Sequence, residues 1–112
     1  AWVQRTLADP SIQVSILRHT PPSLVSRTDT EVFAGLKSTI LSTFPEALVT
    51  PYLMLGATDA RKYQALSDQV FRFTPARMNK REIARMHGPD ERIGCENIAL
   101  AKQFYNRLIS TF

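Results

Sequence analysis

Hydrophobic and polar residues alternate or cluster along three short segments of the chain. In residues 11–18, SIQVSILR, isoleucine and valine alternate with polar residues, which is the two-residue period of a half-buried strand. Residues 47–55 form an apolar run in which Pro51 indicates an edge, a bulge or a break. Residues 70–73, VFRF, form a third run that ends before Pro75. The pattern predicts strands over 11–18, 47–55 and 70–73.

Two longer segments carry apolar residues at the spacing of a helix face. Thr28 stands three residues before Glu31, which is the spacing of a capping box, and predicts a helix over 29–43 that Pro45 ends. The same periodicity predicts a last helix over 96–111. Its predicted apolar stripe consists of Ile98, Ala101, Tyr105, Leu108 and Phe112.

The order of the predicted elements is strand, helix, strand, short helix, strand, loop, helix. Such alternation predicts an α/β fold in which helices pack on a sheet. Residues 76–94 show little periodicity and are predicted to be a long loop. The first residues, AWVQRTLADP, lack an initiator Met and the pattern of a signal peptide, so we expect the sequence to begin inside a longer chain. A change in composition over 19–28 predicts a domain boundary there.

Composition narrows the classes of function. The chain has 112 residues, a net charge of +4 and 44% hydrophobic residues, which is typical of one globular domain or part of one. No apolar run approaches the roughly 18 residues of a membrane helix, so we expect no membrane partner. The densest basic stretch, over residues 77–85, has no interleaved aromatic residues for base stacking, so we interpret it as a solvated face and expect no nucleic-acid partner.

His87 is the first candidate for chemistry. It lies in the polar segment HGPDER, and neutral imidazole is a good zinc ligand. Asp90 and Glu91, three and four residues further on, could hold the second ring nitrogen or order the loop. One histidine makes no metal site, and a surface histidine with no ligand remains the alternative.

The segment GATDAR, residues 56–61, is the second candidate. It follows an apolar run and begins a predicted short helix that extends to about Leu66, with Thr58 or Asp59 as its cap. Unpaired amide groups at a helix start, together with the planar guanidinium of Arg61, suit an anionic group of a ligand. An ordinary capped turn with an exposed arginine is the alternative.

Four motifs in order resemble those of a known family. They are Gly-x-Thr-Asp-x-Arg over 56–61, Phe-Arg-Phe over 71–73, His-Gly-x-x-Glu over 87–91 and Phe-Tyr-x-x-Leu-Ile over 104–109. Residues 29–112 resemble the C-terminal end of the zinc metallopeptidases that include aminoacylase, glutamate carboxypeptidase and carboxypeptidase S. The resemblance is greatest to the branch of carboxypeptidase S and the secreted N-acyl-amino-acid hydrolases.

The resemblance implies a two-domain enzyme that holds two zinc ions in an α/β catalytic domain, a sheet flanked by helices. Residues 1–19 would be the end of an inserted α+β lid or dimerisation domain, with 11–18 as its last strand. Residues 20–112 would be the C-terminal part of the catalytic domain. A homodimer through the lid domain, and the remainder of the same polypeptide, are the partners that the resemblance implies.

The resemblance also implies roles for individual residues. His87 would be the last metal ligand, Glu91 and Asp90 would support it, and Gly56, Thr58 and Arg61 would contact the substrate. The substrate would be a peptide or an N-acyl amino acid with a free carboxylate, whose amide bond is hydrolysed. The other metal ligands and the catalytic glutamates of the family are absent from this sequence, so no catalytic residue is assigned and the chain alone is expected to be inactive. A non-catalytic α/β binding module with a basic loop over 77–85 is the rival hypothesis.

Overall fold

Helices are the regular elements of the structure, a computed structural model that describes residues 2–112. They are α1 (Trp2–Leu7), α2 (Glu31–Thr43), a 3-10 helix (Asp59–Ala65), α3 (Lys80–Arg85) and α4 (Cys95–Thr111). Within the described residues, α2 and α4 are the one pair of elements that pack against each other. No helix in residues 2–112 is long and apolar enough to cross a membrane.

Helix α2 follows the prediction of a helix over 29–43 closely, but its cap differs. Thr30, not Thr28, is the N-cap, because the Thr30 hydroxyl oxygen accepts a hydrogen bond of 3.2 Å from the amide of Phe33. The same hydroxyl donates to the side-chain oxygen of Gln69 at 2.7 Å. This second bond joins the start of α2 to a distant segment, so the cap is selected by a tertiary contact that local spacing does not contain.

The core lies between α2 and α4. Ile40 and Phe44 at the end of α2 and Phe104 in α4 are its buried apolar residues, and Phe73 extends it with a ring 5.1 Å from that of Phe104. The predicted helix over 96–111 is confirmed as α4, and its predicted stripe is right for Leu108, which packs against the core, but wrong for three residues. Ile98, Tyr105 and Phe112 of that stripe are exposed. The residues that face inward are Asn97, Leu100, Phe104 and Leu108.

Asn97 explains why the inward face of α4 differs from the predicted stripe. Its side chain is 1% exposed, donates to the carbonyl of Arg77 at 3.0 Å and accepts from the amide of Arg77 at 2.7 Å. These two bonds satisfy both backbone groups of Arg77, as the partner strand of a sheet would. Asn97 therefore ties the segment before α3 to the first turn of α4.

We expect Asn97→Ala to lower the free energy of unfolding by about 1–3 kcal/mol, because it leaves partly buried backbone groups of Arg77 without partners. Urea unfolding followed by helical circular dichroism measures this change. Asn106→Ala, at an exposed position of the same helix, is the matched control and should change stability by less than about 0.5 kcal/mol. Equal losses for the two variants would mean that the Asn97 bonds contribute nothing.

The predicted α/β fold is wrong for this structure, because no strand is present in residues 2–112. A strand exists through the hydrogen-bond ladder to a neighbouring strand. The segments 11–18, 47–55 and 70–73, including the predicted last strand of a lid domain, make no such ladder here. In the third of them, the hydroxyl of Ser26 accepts from the amide of Val70 at 2.9 Å and donates to its carbonyl at 3.0 Å. Alternating sequence alone therefore does not make a sheet.

The predicted loop over 76–94 is also corrected, since it contains α3. Asn79 is the N-cap: its side chain accepts from the amides of Arg81 and Glu82, and the Glu82 carboxylate accepts from the amide of Asn79 at 2.7 Å. This is a complete capping box, and its Asn-x-x-Glu spacing is present in the sequence. The prediction missed it because the helix is too short to show an apolar period.

The structure leaves much apolar surface open to solvent. The radius of gyration is 19.1 Å, compared with about 13 Å for a compact domain of this length. Leu17, Leu48 and Leu55 are each more than 90% exposed. Apolar surface of this extent marks an interaction surface in a stable protein.

Candidate functional site

An open groove of about 1110 Å³ lies beside α2. Its floor is the apolar face of that helix, including Leu36 and Ile40, and its walls come from residues 20–26, 46–58 and 70–77. Thr58, Arg61, Arg72 and Arg77 also line it. The groove therefore combines an apolar floor with three cationic side chains.

Thr58 connects Arg61 and Arg72. Its carbonyl accepts from the amide of Arg61 at 3.4 Å at the start of the 3-10 helix, which confirms the predicted short helix to within a residue of its end. Its hydroxyl does not cap that helix, because it accepts from Nε of Arg72 at 2.8 Å. One residue thus fixes a backbone turn on one side and a guanidinium on the other.

The groove has one carboxylate, and it is already paired. Glu46 accepts two hydrogen bonds from the guanidinium of Arg77, one of them from Nε at 3.0 Å. Its own backbone amide and the Arg77 guanidinium hold the pKa of the Glu46 carboxyl below its usual value. Arg61 donates to the carbonyl of Pro21 at 3.2 Å, and neither Arg61 nor Arg72 has a carboxylate partner in residues 2–112. This part of the groove is suited to an anion.

Gly56 also lines the groove and is exposed. A β-carbon at this position would meet nothing nearer than the sulfur of Met54, at 3.8 Å. The backbone here is open to an approaching group, but a glycine is not sterically required within the described residues. Gly56, Thr58 and Arg61 are therefore brought together as the sequence predicted, and their contact with a substrate stays a prediction.

His87 lies just beyond α3 in a left-handed backbone conformation, with φ of 60°. The amide of Gly88 donates to the carbonyl of Arg85 at 2.8 Å and closes the turn that ends the helix. The imidazole is exposed. Left-handed φ is uncommon for a residue other than glycine and marks a locally constrained backbone.

The sequence predicts either of two roles for the carboxylates near His87, to hold its second ring nitrogen or to order the loop. Asp90, also left-handed with φ of 61°, pairs with Arg92 at 3.0 Å and with Arg85 at 3.7 Å. Glu91 is exposed, and the structure records no hydrogen bond from either carboxylate to the His87 imidazole among residues 2–112. The Asp90 carboxylate therefore braces the loop through arginines. A supporting role for Asp90 and Glu91 in metal binding stays a prediction.

His87 and the groove share no lining residue. The lining of the groove includes Gly56, Thr58 and Arg61 but not the loop 86–92. Within residues 2–112, no three His, Cys, Asp or Glu side chains lie close enough together to hold a metal ion. His87 could thus contribute to a metal site only together with ligands from elsewhere. Sequence reasoning missed Arg72, whose position in a Phe-Arg-Phe segment carries no local signal of its contact with Thr58.

The known proteins that are similar to this chain are carboxypeptidase S-like proteins and PM20D1 proteins. The chain is 36% identical over 108 residues, 96% of its length, to the probable carboxypeptidase S-like 2 of Dictyostelium discoideum. It is equally similar over the same length to the N-fatty-acyl-amino acid synthase/hydrolase PM20D1 of Xenopus tropicalis, and 30% identical over 106 residues to PM20D1 of Homo sapiens.

The match covers nearly all of this chain but a small part of each relative. The chain spans about a fifth, 21%, of the length of each of these three relatives. No protein-family model matches the chain, and no solved structure matches it. The resemblance drawn from the four motifs is nevertheless confirmed by the relatives. The chain is homologous to the C-terminal region of carboxypeptidase S-like and PM20D1 proteins, which belong to the zinc-dependent M20 peptidase family.

Proposed function

We propose that this chain is the C-terminal part of a zinc-dependent hydrolase that cleaves the amide bond of a peptide or an N-acyl amino acid with a free carboxylate. The observation that carries the proposal is the 36% identity over 96% of the chain to a carboxypeptidase S-like protein and to an N-fatty-acyl-amino acid synthase/hydrolase. A substrate with a carboxylate is what a carboxypeptidase or an acyl-amino acid hydrolase implies, and Arg61 and Arg72 at the groove have no carboxylate partner in residues 2–112.

The chain would act together with the remainder of a longer polypeptide. Zinc needs three or four protein ligands, and residues 2–112 contain no cluster of that size. The described residues therefore do not fit a complete zinc site. The exposed apolar residues, such as Leu48 and Leu55, support the same division, since a covering segment would remove them from water.

Each candidate residue then has one role. His87 would supply one ligand through its exposed imidazole, on a loop that the Asp90 ion pairs stiffen. Arg61 would bind the substrate carboxylate through its planar fork of donors, with Thr58 and Gly56 shaping the turn that presents it. Proton transfer would fall to groups outside this chain, so the isolated chain would not turn over substrate.

The experiment is an assay of the longer protein that contains this chain, with an N-acyl amino acid and a dipeptide as substrates. The proposal predicts hydrolysis that a chelator abolishes and added zinc restores, and no hydrolysis by the 112-residue chain. Hydrolysis that survives complete removal of metal would contradict it. Absence of hydrolysis by the metal-loaded longer protein would favour the rival binding module.

A further inference from the structure

We propose that Arg72 is a second binding residue for the substrate carboxylate, acting beside Arg61. The inference rests on the proposed function and deepens it, because it gives a binding role to a residue that the Phe-Arg-Phe motif contains without a role. The observation behind it is the shared contact with Thr58, whose carbonyl fixes the backbone of Arg61 and whose hydroxyl holds the side chain of Arg72.

The hydrogen bond to Thr58 leaves the two terminal nitrogens of the Arg72 guanidinium available. An arginine carries five donors, and Nε is the one that Thr58 uses, at 2.8 Å. The two terminal nitrogens make no hydrogen bond or ion pair within residues 2–112. They form the planar pair that binds a carboxylate through two parallel hydrogen bonds. Thr58 thus orients the guanidinium of Arg72 and leaves its two terminal nitrogens available to a ligand.

Four other arginines of the chain have a carboxylate partner, which Arg72 lacks in residues 2–112. Arg27 pairs with Asp29 and Arg77 with Glu46. Arg85 and Arg92 share Asp90. Arg72 is half-buried in the wall of an apolar groove and has no such partner among the described residues.

Partial burial of a cation without a counter-ion is unfavourable, so an anion that arrives at the groove would gain a partner already in place. Arg61 lines the same groove and likewise lacks a carboxylate partner in residues 2–112. Arg61 and Arg72 are both bonded to Thr58 and both line the groove, and a carboxylate bound there would neutralise one of their two positive charges. The ligand class is therefore a carboxylate-bearing substrate, held by two arginines.

The test measures KM and kcat of the longer protein for a free-acid N-acyl amino acid and for its carboxamide. Arg72→Lys should raise KM for the free acid by about 10-fold to 100-fold, the effect of losing a charge-assisted contact, and leave the carboxamide unchanged. Thr58→Val should raise KM for the free acid in the same direction by a smaller factor. Arg81→Lys, at an exposed side chain with no recorded contact, is the matched control and should change neither substrate.

The possible results distinguish a failure of the Arg72 role from a failure of the proposed hydrolase function. A variant is folded if its circular dichroism spectrum and its zinc content equal those of the wild type. If the Arg72→Lys protein does not fold, Thr58→Val tests the same contact. An unchanged KM for the free acid in both variants, or equal losses for acid and carboxamide, overturns the role of Arg72 while hydrolysis by the wild type stands. A wild type that hydrolyses neither substrate overturns the proposed function, and this inference with it.

Discussion

His87→Ala in the longer protein is expected to lower turnover by at least about 100-fold, together with a loss of bound zinc. Loss of a residue that merely supports a metal ligand already costs roughly 10-fold to 100-fold in affinity or activity, so loss of a ligand should cost no less. The imidazole is exposed, on a loop with two left-handed residues and the ion pairs of Asp90, and its role as a ligand stays a prediction. Zinc content per subunit and kcat are measured on the same preparation.

The other histidine of the chain supplies the control. His19 is exposed and lies in the segment between α1 and α2, outside the four motifs. His19→Ala should keep full zinc content and full turnover. A His87→Ala protein that keeps both its zinc and its turnover would contradict the assignment of His87 as a ligand.

Arg61→Lys is expected to reduce kcat/KM for a free-acid substrate by one to two decades. The loss of a charge-assisted contact costs about 1.5–3 kcal/mol, and the ammonium of lysine cannot replace the planar fork of a guanidinium. A carboxamide substrate already lacks the contact, so its hydrolysis should barely change. The measurement compares wild type and variant on both substrates.

The contact of Arg61 with Pro21 gives the competing explanation. If its hydrogen bond of 3.2 Å to that carbonyl supports the loop and the side chain does not bind substrate, both substrates should lose the same factor. Equal losses would therefore contradict the recognition of the carboxylate by Arg61. A loss confined to the free acid would support it.

Local signals in the sequence predicted the helices and failed for the sheet, for a physical reason. Helices α2 and α4 are specified by apolar residues three and four positions apart and, for α2, by a nearby cap, all of which lie within one segment. A strand depends on hydrogen bonds to another segment, and residues 11–18 and 47–55 have no such partner in this structure.

The errors within the helices also have a common cause. The inward face of α4 was misplaced because Asn97 is polar, and an apolar pattern does not count a buried asparagine that bonds to the backbone of Arg77. Helix α3 was missed because its six residues are too few to show a period, although its capping box was visible. Both are cases in which side-chain hydrogen bonds, not apolar spacing, select the structure.

The sequence motifs of the candidate site could be predicted, but the contacts between its side chains could not. The four motifs identified the family correctly, and the structure shows that Gly56, Thr58 and Arg61 line one groove. The motifs contain Arg72 but did not indicate it as a binding residue, because its contact with Thr58 joins residues fourteen positions apart. The prediction left open whether Asp90 holds the His87 ring or orders the loop, and it did not identify Arg85 and Arg92 as the partners of that carboxylate.

Calorimetric titration with zinc tests most directly the claim that one metal site is divided between this chain and the rest of a longer protein. The 112-residue chain should bind zinc no better than an exposed histidine does, because its described residues bring no three ligands together. The metal-free longer protein should bind zinc tightly, and His87→Ala should weaken that binding. Tight one-to-one binding by the 112-residue chain, or no tight binding by the longer protein, would contradict the account.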